Sequence, residues 1–150
     1  MIEKARGGYL TLHVQLLNGR LFQRLLNQES EALYRSEQGK ILSSLWEHSG
    51  EQTATDIALQ TGLANNTLTS MLKRLEIQGL LQISEHPNDK RKKLVRLTEV
   101  GWQQQKIGEK VSQELADIFY ADFSEEEIMQ YEAYLERILK NLQTAIVKKP

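Results

Sequence analysis

Two clusters near the middle of the chain hold residue types at spacings that chemistry can use. The first is Asn65, Asn66, Thr67, Thr69, Ser70, Lys73 and Arg74, short polar side chains followed by two long cationic ones. Asn can pair with an adenine edge, a Thr methyl can touch the thymine methyl, and Lys or Arg can reach phosphate or guanine. The second is Asp89-Lys90-Arg91-Lys92, which follows the turn-forming His86-Pro87-Asn88. Arg91 is long enough to enter a minor groove, where narrow A·T stretches concentrate negative potential. Asp89, two residues earlier, can accept from its guanidinium and hold it in place. Each residue also has a plainer role. Asn65 can cap a helix, Lys73 and Arg74 can solvate one, and Asp89 can shape a turn. Taken together, a polar helix and a basic hairpin favour nucleic-acid binding over a surface without function.

Charge supports that pairing. Residues 65–97 carry seven basic and three acidic residues, a local +4, whereas residues 98–150 carry six basic and ten acidic, and the whole chain nets −1. A basic patch on a near-neutral protein suits a phosphate backbone, although a solvated charged loop gives the same count. Other chemistries lack their parts. The chain has no cysteine, which removes disulfides, thiolate catalysis and cysteine redox sensing. His13, His48 and His86 are its only histidines, and none pairs with another at metal-ligand spacing. Gly7-Gly8 is not a phosphate loop, and no nucleophile stands with a base, so neither an enzyme nor a cofactor is expected. No apolar run approaches a membrane span and no signal peptide opens the chain, which predicts a cytoplasmic protein without a membrane partner.

The elements that must position the two clusters follow from apolar periodicity. The 150 residues fit one domain. Leu10, Val14, Leu17, Leu21 and Leu25 predict a helix over 9–28, and Leu12, Leu16, Phe22 and Leu26 widen its apolar face until one side suits a partner subunit. Ser36 is placed to cap a helix over 37–48 that turns Ile41, Leu42, Leu45 and Trp46 inward. Thr53-Ala54-Thr55-Asp56 resembles a capping box for a short helix that buries Ile57 and stops at Gly62. Thr67–Gln78 form the next helix, with Leu68, Leu72 and Leu75 inward and Gly79 as its stop. Leu80–Glu85 and Lys93–Leu97 alternate as a hairpin, with Leu81 and Ile83 on one inner face, Leu94 on the other strand, and Asp89 to Lys92 at the tip. Thr98 caps a long helix over 99–121, striped by Ile107, Val111, Leu115 and Ile118. Ser124-Glu125-Glu126-Glu127 caps the last helix, where Ile128, Tyr131, Leu135, Ile138 and Leu142 recur as in a coiled coil. The fold class is mainly α with a small β-hairpin wing, a winged helix-turn-helix of about six helices. A DNA-binding lobe over 36–98 sits between dimerisation helices over 9–28 and 99–146.

From Ser36 to Gly101 the chain resembles the MarR family of dimeric bacterial transcription regulators. The resemblance rests on Leu63, Leu68-Thr69, Leu72, Leu75-Glu76, Gly79-Leu80, the block Asp89-Lys90-Arg91, and Leu97-Thr98 with Gly101. It implies a homodimer on double-stranded DNA at a pseudo-palindromic operator, with Arg91 in the minor groove supported by Asp89. It also implies a repressor released by a small phenolic or lipophilic effector, in a pocket where the first, second and fifth helices meet, near His13, Leu17, Trp46 and Ile107. Two positions depart from the family pattern. Ala64 stands where a Ser or Asp cap is common, so either Asn65 takes over the cap or the helix start frays. Ile83 stands where a basic residue is common on the first wing strand. The alternative reading is a protein-interaction module on the same fold that never touches DNA; the basic hairpin is the feature it does not need.

Overall fold

The computed structural model describes residues 3–148, in two compact units that meet at Leu115/Ala116. The first unit holds α1 (Gly7–Asn27), a 3-10 turn (Ser36–Gln38), α2 (Gly39–Glu47), β1 (Glu51–Thr53), α3 (Ala54–Thr61), α4 (Asn65–Ile77), β2 (Leu81–His86), β3 (Asp89–Leu97), α5 (Glu99–Gln103) and most of α6 (Gln105–Phe119). The second holds the end of α6 and α7 (Glu125–Val147). The predicted six-helix plan is present, because α5 and α6 are the one long helix expected over 99–121, interrupted at Gln104.

The core of the first unit joins Leu26 of α1, Ile41, Leu42 and Leu45 of α2, Ile57 of α3, Leu68, Leu72 and Leu75 of α4, and Leu81, Val95 and Leu97 of the sheet. Helix ends follow local chemistry. The Thr53 hydroxyl accepts from Asp56 N–H at 3.1 Å, opening α3 as the capping pattern predicts. At the end of α4 the amide of Leu80 donates to Leu75 O and that of Gly79 to Glu76 O, both at 3.0 Å, with Gly79 at φ +83°. This is a Schellman stop, and its left-handed residue explains the glycine. In the second unit the capping box is reciprocal: Glu127 N–H donates to Ser124 Oγ at 3.1 Å and Ser124 N–H to Glu127 Oε1 at 2.8 Å.

Several expectations are corrected. Ser36 lies in the 3-10 turn and does not cap α2; its amide instead donates to Gln23 Oε1 of α1 at 2.8 Å. α4 begins at Asn65, so Asn65 is its first residue and not its cap, and Ala64 takes the cap position without a side-chain bond. The hairpin turn is Pro87-Asn88 alone, and Asp89, Lys90, Arg91 and Lys92 already belong to β3. Pairing of Leu81 with Leu97 and of Ile83 with Val95 puts Val95 and Leu97 inside and leaves Leu94 half-buried on the other face. A third strand, β1, pairs antiparallel with β3 through Gln52↔Val95, giving the order β1-β3-β2. The break at Gln104 comes from a buried amide: its Oε1 accepts from Leu33 N–H at 2.8 Å and its Nε2 donates to Glu31 O at 3.1 Å.

Candidate nucleic-acid interface and adjoining cavity

α4 presents its N-terminal half to solvent. Asn65, Asn66, Thr67, Thr69, Ser70, Lys73 and Arg74 are all exposed, while Leu68, Leu72 and Leu75 are buried beneath them. The side chains are partly committed by local bonds. The Thr69 hydroxyl donates back to Asn65 O at 2.8 Å, which leaves its methyl as the group it can offer. The Asn66 side-chain oxygen accepts from Thr67 N–H at 2.9 Å, which leaves its NH2 to donate elsewhere. With Ala64 supplying no cap, the first-turn amides at the positive end of the helix dipole lack a side-chain acceptor from that position. Among the described residues Lys73, Arg74, Lys90 and Lys92 form no salt bridge, and all four are exposed.

The wing holds one arginine in a defined pose. Asp89 Oδ1 accepts from the backbone N–H of Arg91 at 3.0 Å and from its Nε at 3.2 Å, and Oδ2 accepts from Nη2 at 3.3 Å. The Arg91 side chain is 90% exposed all the same. At the turn, Asn88 N–H donates to His86 Nδ1 at 3.1 Å. The Arg91 side chain, its amide, and the nearby Lys92 and His86 hold the Asp89 carboxyl below the ordinary aspartate range. A carboxyl lowered on folding contributes stability above its unfolded pKa and loses it as pH falls through the folded value. We therefore expect the Asp89 carboxyl carbon to titrate, by NMR, at lower pH than an unperturbed aspartate, and Arg91→Ala, which removes the largest cause and keeps the amide, to raise it toward the ordinary range. An unchanged midpoint in the variant would show that the clasp is not made in solution.

Helix and wing are tied together by residues that sequence reasoning did not assign a role. Glu76 Oε2, one turn after Lys73, accepts from Ile83 N–H of β2 at 2.8 Å. Gln38 Nε2 donates to Gln78 Oε1 and Gln78 Nε2 to Leu33 O, both at 2.8 Å, fixing the end of α4 to the segment before α2. Arg96 Nε donates to Glu51 Oε2 at 2.6 Å across β3 and β1. These partners are up to 45 residues apart, and nothing local in the sequence announces them.

Beside the lobe lies a cavity of about 780 Å3. Phe22 of α1, Tyr34, Trp46 of α2 and Gly108 of α6 form its apolar side, and Lys40, Ser43, His48 and Gln60 its polar side. The Tyr34 and Trp46 rings meet edge to face at 6.2 Å, and burial pushes the Tyr34 hydroxyl up to about 12, keeping it protonated. Trp46 Nε1 is spent on Gly101 O at 3.0 Å. Of the four residues expected at an effector pocket, Trp46 lines the cavity and Ile107, half-buried against the core, adjoins lining Gly108. His13 and Leu17 do not line it. They lie exposed on α1, His13 edge-on to Tyr9, and α1 contributes Asn18, Gly19 and Phe22 in their place.

Comparison with known proteins points the same way. The model of the MarR family matches residues 35–93, from the 3-10 turn through α4 into β3. The HTH-type transcriptional repressor IacR of Pseudomonas putida is 28% identical over 102 residues, 67% of this chain and 61% of the repressor, so the match spans less than two thirds of that relative. The structure of reduced AbfR bound to DNA is 30% identical, with 89% of this chain and 90% of that one covered and a TM-score of 0.71. A mutant MarR from E. coli complexed with operator DNA is 26% identical, with 88% and 92% covered and a TM-score of 0.77.

Proposed function

Since this chain belongs to the MarR family, we propose that it is a sequence-specific DNA-binding transcriptional regulator, a repressor that a small effector releases from its operator. The observation that carries the reading is the pairing of an exposed polar helix face with a wing whose arginine is already held by Asp89. α4 enters the major groove with Asn65, Asn66, Thr67, Thr69 and Ser70 toward base edges and Lys73 and Arg74 toward phosphate or guanine. Arg91 enters the minor groove, with Lys90 and Lys92 beside it on the backbone. The DNA-bound structures of AbfR and of mutant MarR support the geometry. The cavity holds the effector, a compact aromatic or lipophilic molecule that fits against Phe22, Tyr34 and Trp46.

The regulator works as a two-fold homodimer, through α1 and residues 99–146. Leu10, Leu12, Val14, Leu16 and Leu17 are exposed on α1, and Ile138, Leu139 and Leu142 on α7, which has no buried residue in the single chain. Such faces need a partner's apolar surface. Sedimentation equilibrium at micromolar concentration is expected to give a dimer, and a clean monomer would sink the assignment of these helices. Selection of duplexes from a random pool, followed by a salt titration, tests the function itself. The expected result is a pseudo-palindrome with half-sites roughly ten base pairs apart and a steep loss of affinity with salt. A pool that shows no enrichment would favour a protein-interaction module.

A further inference from the structure

Between the cavity and the wing lies a closed loop of hydrogen bonds that neither DNA binding nor cavity lining by itself requires. Gln52, on β1, is buried, and its backbone pairs with Val95 of the central wing strand β3. Its Nε2 donates to Gln60 Oε1 of α3 at 3.0 Å, and its Oε1 accepts from Ser44 Oγ of α2 at 2.9 Å. Ser44 Oγ also faces Gln60 Oε1, so one hydroxyl hydrogen stands before two amide oxygens. Gln60 Nε2 lies 3.3 Å from His48 Nε2, and His48 Nδ1 lies 2.7 Å from Ser44 O. A carbonyl only accepts, so Nδ1 carries the proton and donates to Ser44, and Nε2 accepts from Gln60. Four of these bonds run in one direction round the loop, and Gln52 Nε2 also donates back to Ser44 O at 3.4 Å. Three of its four members, Ser44, His48 and Gln60, line the cavity; the fourth, Gln52, is part of the wing sheet.

We propose that this Ser44–His48–Gln60–Gln52 loop is the route by which occupancy of the cavity reaches the wing. The proposal rests on the effector reading of the cavity and adds the path of regulation. An occupant that presses on Gln60 or His48, or hydrogen-bonds to either, competes with the loop. Gln60 cannot turn toward the cavity and keep its oxygen on both Gln52 and Ser44. Gln52 is buried, and without Gln60 its amide nitrogen keeps only the longer bond to Ser44 O at 3.4 Å, which is costly. β1 therefore shifts with Gln60, and β1 is the hydrogen-bonded neighbour of the strand that carries Arg91. Such a device has two hydrogen-bonded arrangements, and each end of it biases the other.

The absence of cysteine makes the test independent of any effector's identity. Ser43 lines the cavity but stands outside the loop, so Ser43→Cys supplies a single thiol there. Reaction with benzyl methanethiosulfonate fills the cavity, and reaction with methyl methanethiosulfonate is the small-probe control. Hydrogen exchange over residues 51–53 and 89–97, and affinity for the selected duplex, are read before and after labelling. The benzyl label is expected to raise exchange and weaken binding roughly fivefold or more, with the methyl label near unity. In Gln52→Leu and Gln60→Leu backgrounds, each referred to its own unlabelled form, the benzyl effect should fall below about twofold. Gln60 is exposed, so its variant serves if burial makes Gln52→Leu fold poorly. An equal effect in all three backgrounds overturns the relay and leaves the cavity reading standing. No effect of the benzyl label in the native loop removes both.

Discussion

Arg91→Ala is expected to bind the selected operator more weakly than the native chain, by roughly thirtyfold or more, because each contact of this kind is worth about 1–3 kcal/mol and a dimer has two wings. The loss should be greatest where the operator flanks are A·T-rich, since a narrow groove focuses the potential that draws the guanidinium in. Lys73→Ala should behave differently. If it meets phosphate it weakens all duplexes about equally and shallows the salt dependence by roughly one unit per half-site. Asn66→Ala and Thr69→Ala should change which base is preferred, through the free NH2 of one and the methyl of the other. Fluorescence anisotropy with the operator, a scrambled duplex and these four variants separates the cases. Native-like binding by both Arg91→Ala and Lys73→Ala in a dimeric protein would show that the DNA surface lies elsewhere.

The second large effect is on stability, and it comes from a glycine needed for space. A Cβ on Gly101 would lie 2.1 Å from the carbonyl oxygen of Leu80 and 2.9 Å from the Leu97 side chain. That carbonyl is fixed, since it accepts from Thr98 N–H at 3.1 Å, and Gly101 O in turn holds Trp46 Nε1 at 3.0 Å. Gly101→Ala must push α5 off the strand junction and disturb both bonds, a cost of about 3 kcal/mol or more. Gly79 makes the contrast: it has φ +83° with nothing within 4 Å, so Gly79→Ala pays only the left-handed penalty of about 1–2 kcal/mol. Thermal unfolding at one fixed protein concentration should therefore place Gly101→Ala well below Gly79→Ala, by several degrees. The reverse order would mean that the α5 junction yields more easily than its bonds imply.

The sequence makes legible whatever is decided within one turn of chain. The capping serine at 124, the Gly79 stop and the inward face of α4 are set by residues three or four apart, and all stand where their spacing puts them. What pairing or distance decides is hidden. In Lys93-Leu94-Val95-Arg96-Leu97 two apolar residues adjoin, and only the partners Leu81 and Ile83 choose Val95 over Leu94 for the interior. β1 is three residues with no apolar alternation, and is a strand because β3 runs beside it. The break at Gln104 answers carbonyl and amide groups more than 70 residues away. The site divides the same way. The exposed face of α4 and the Asp89–Arg91 clasp are local and readable. The cavity is not, because α1 is apolar over so broad an arc that its period cannot say which residues look inward; Phe22 does and Leu17 does not.

That the charged block lies on β3, and not in a loop, bears on how such a protein can vary. The Asp89 carboxylate holds the Arg91 side chain two residues on, but the pairing with β2 jumps from Glu85↔Lys93 to His86↔Asp89, so Lys90, Arg91 and Lys92 stand in a bulge of the strand. Val95 and Leu97 anchor the regular part of the strand in the core. Descendants of this chain can exchange one basic residue for another along the outer strand and keep a working wing. Gaining a single residue between Asp89 and Arg91 would break the clasp while every charge remained. The outer strand is thus tolerant of spelling and intolerant of length, and in a diverging lineage insertions and deletions should collect at Pro87-Asn88, where the turn can absorb them, and not in the four residues that follow.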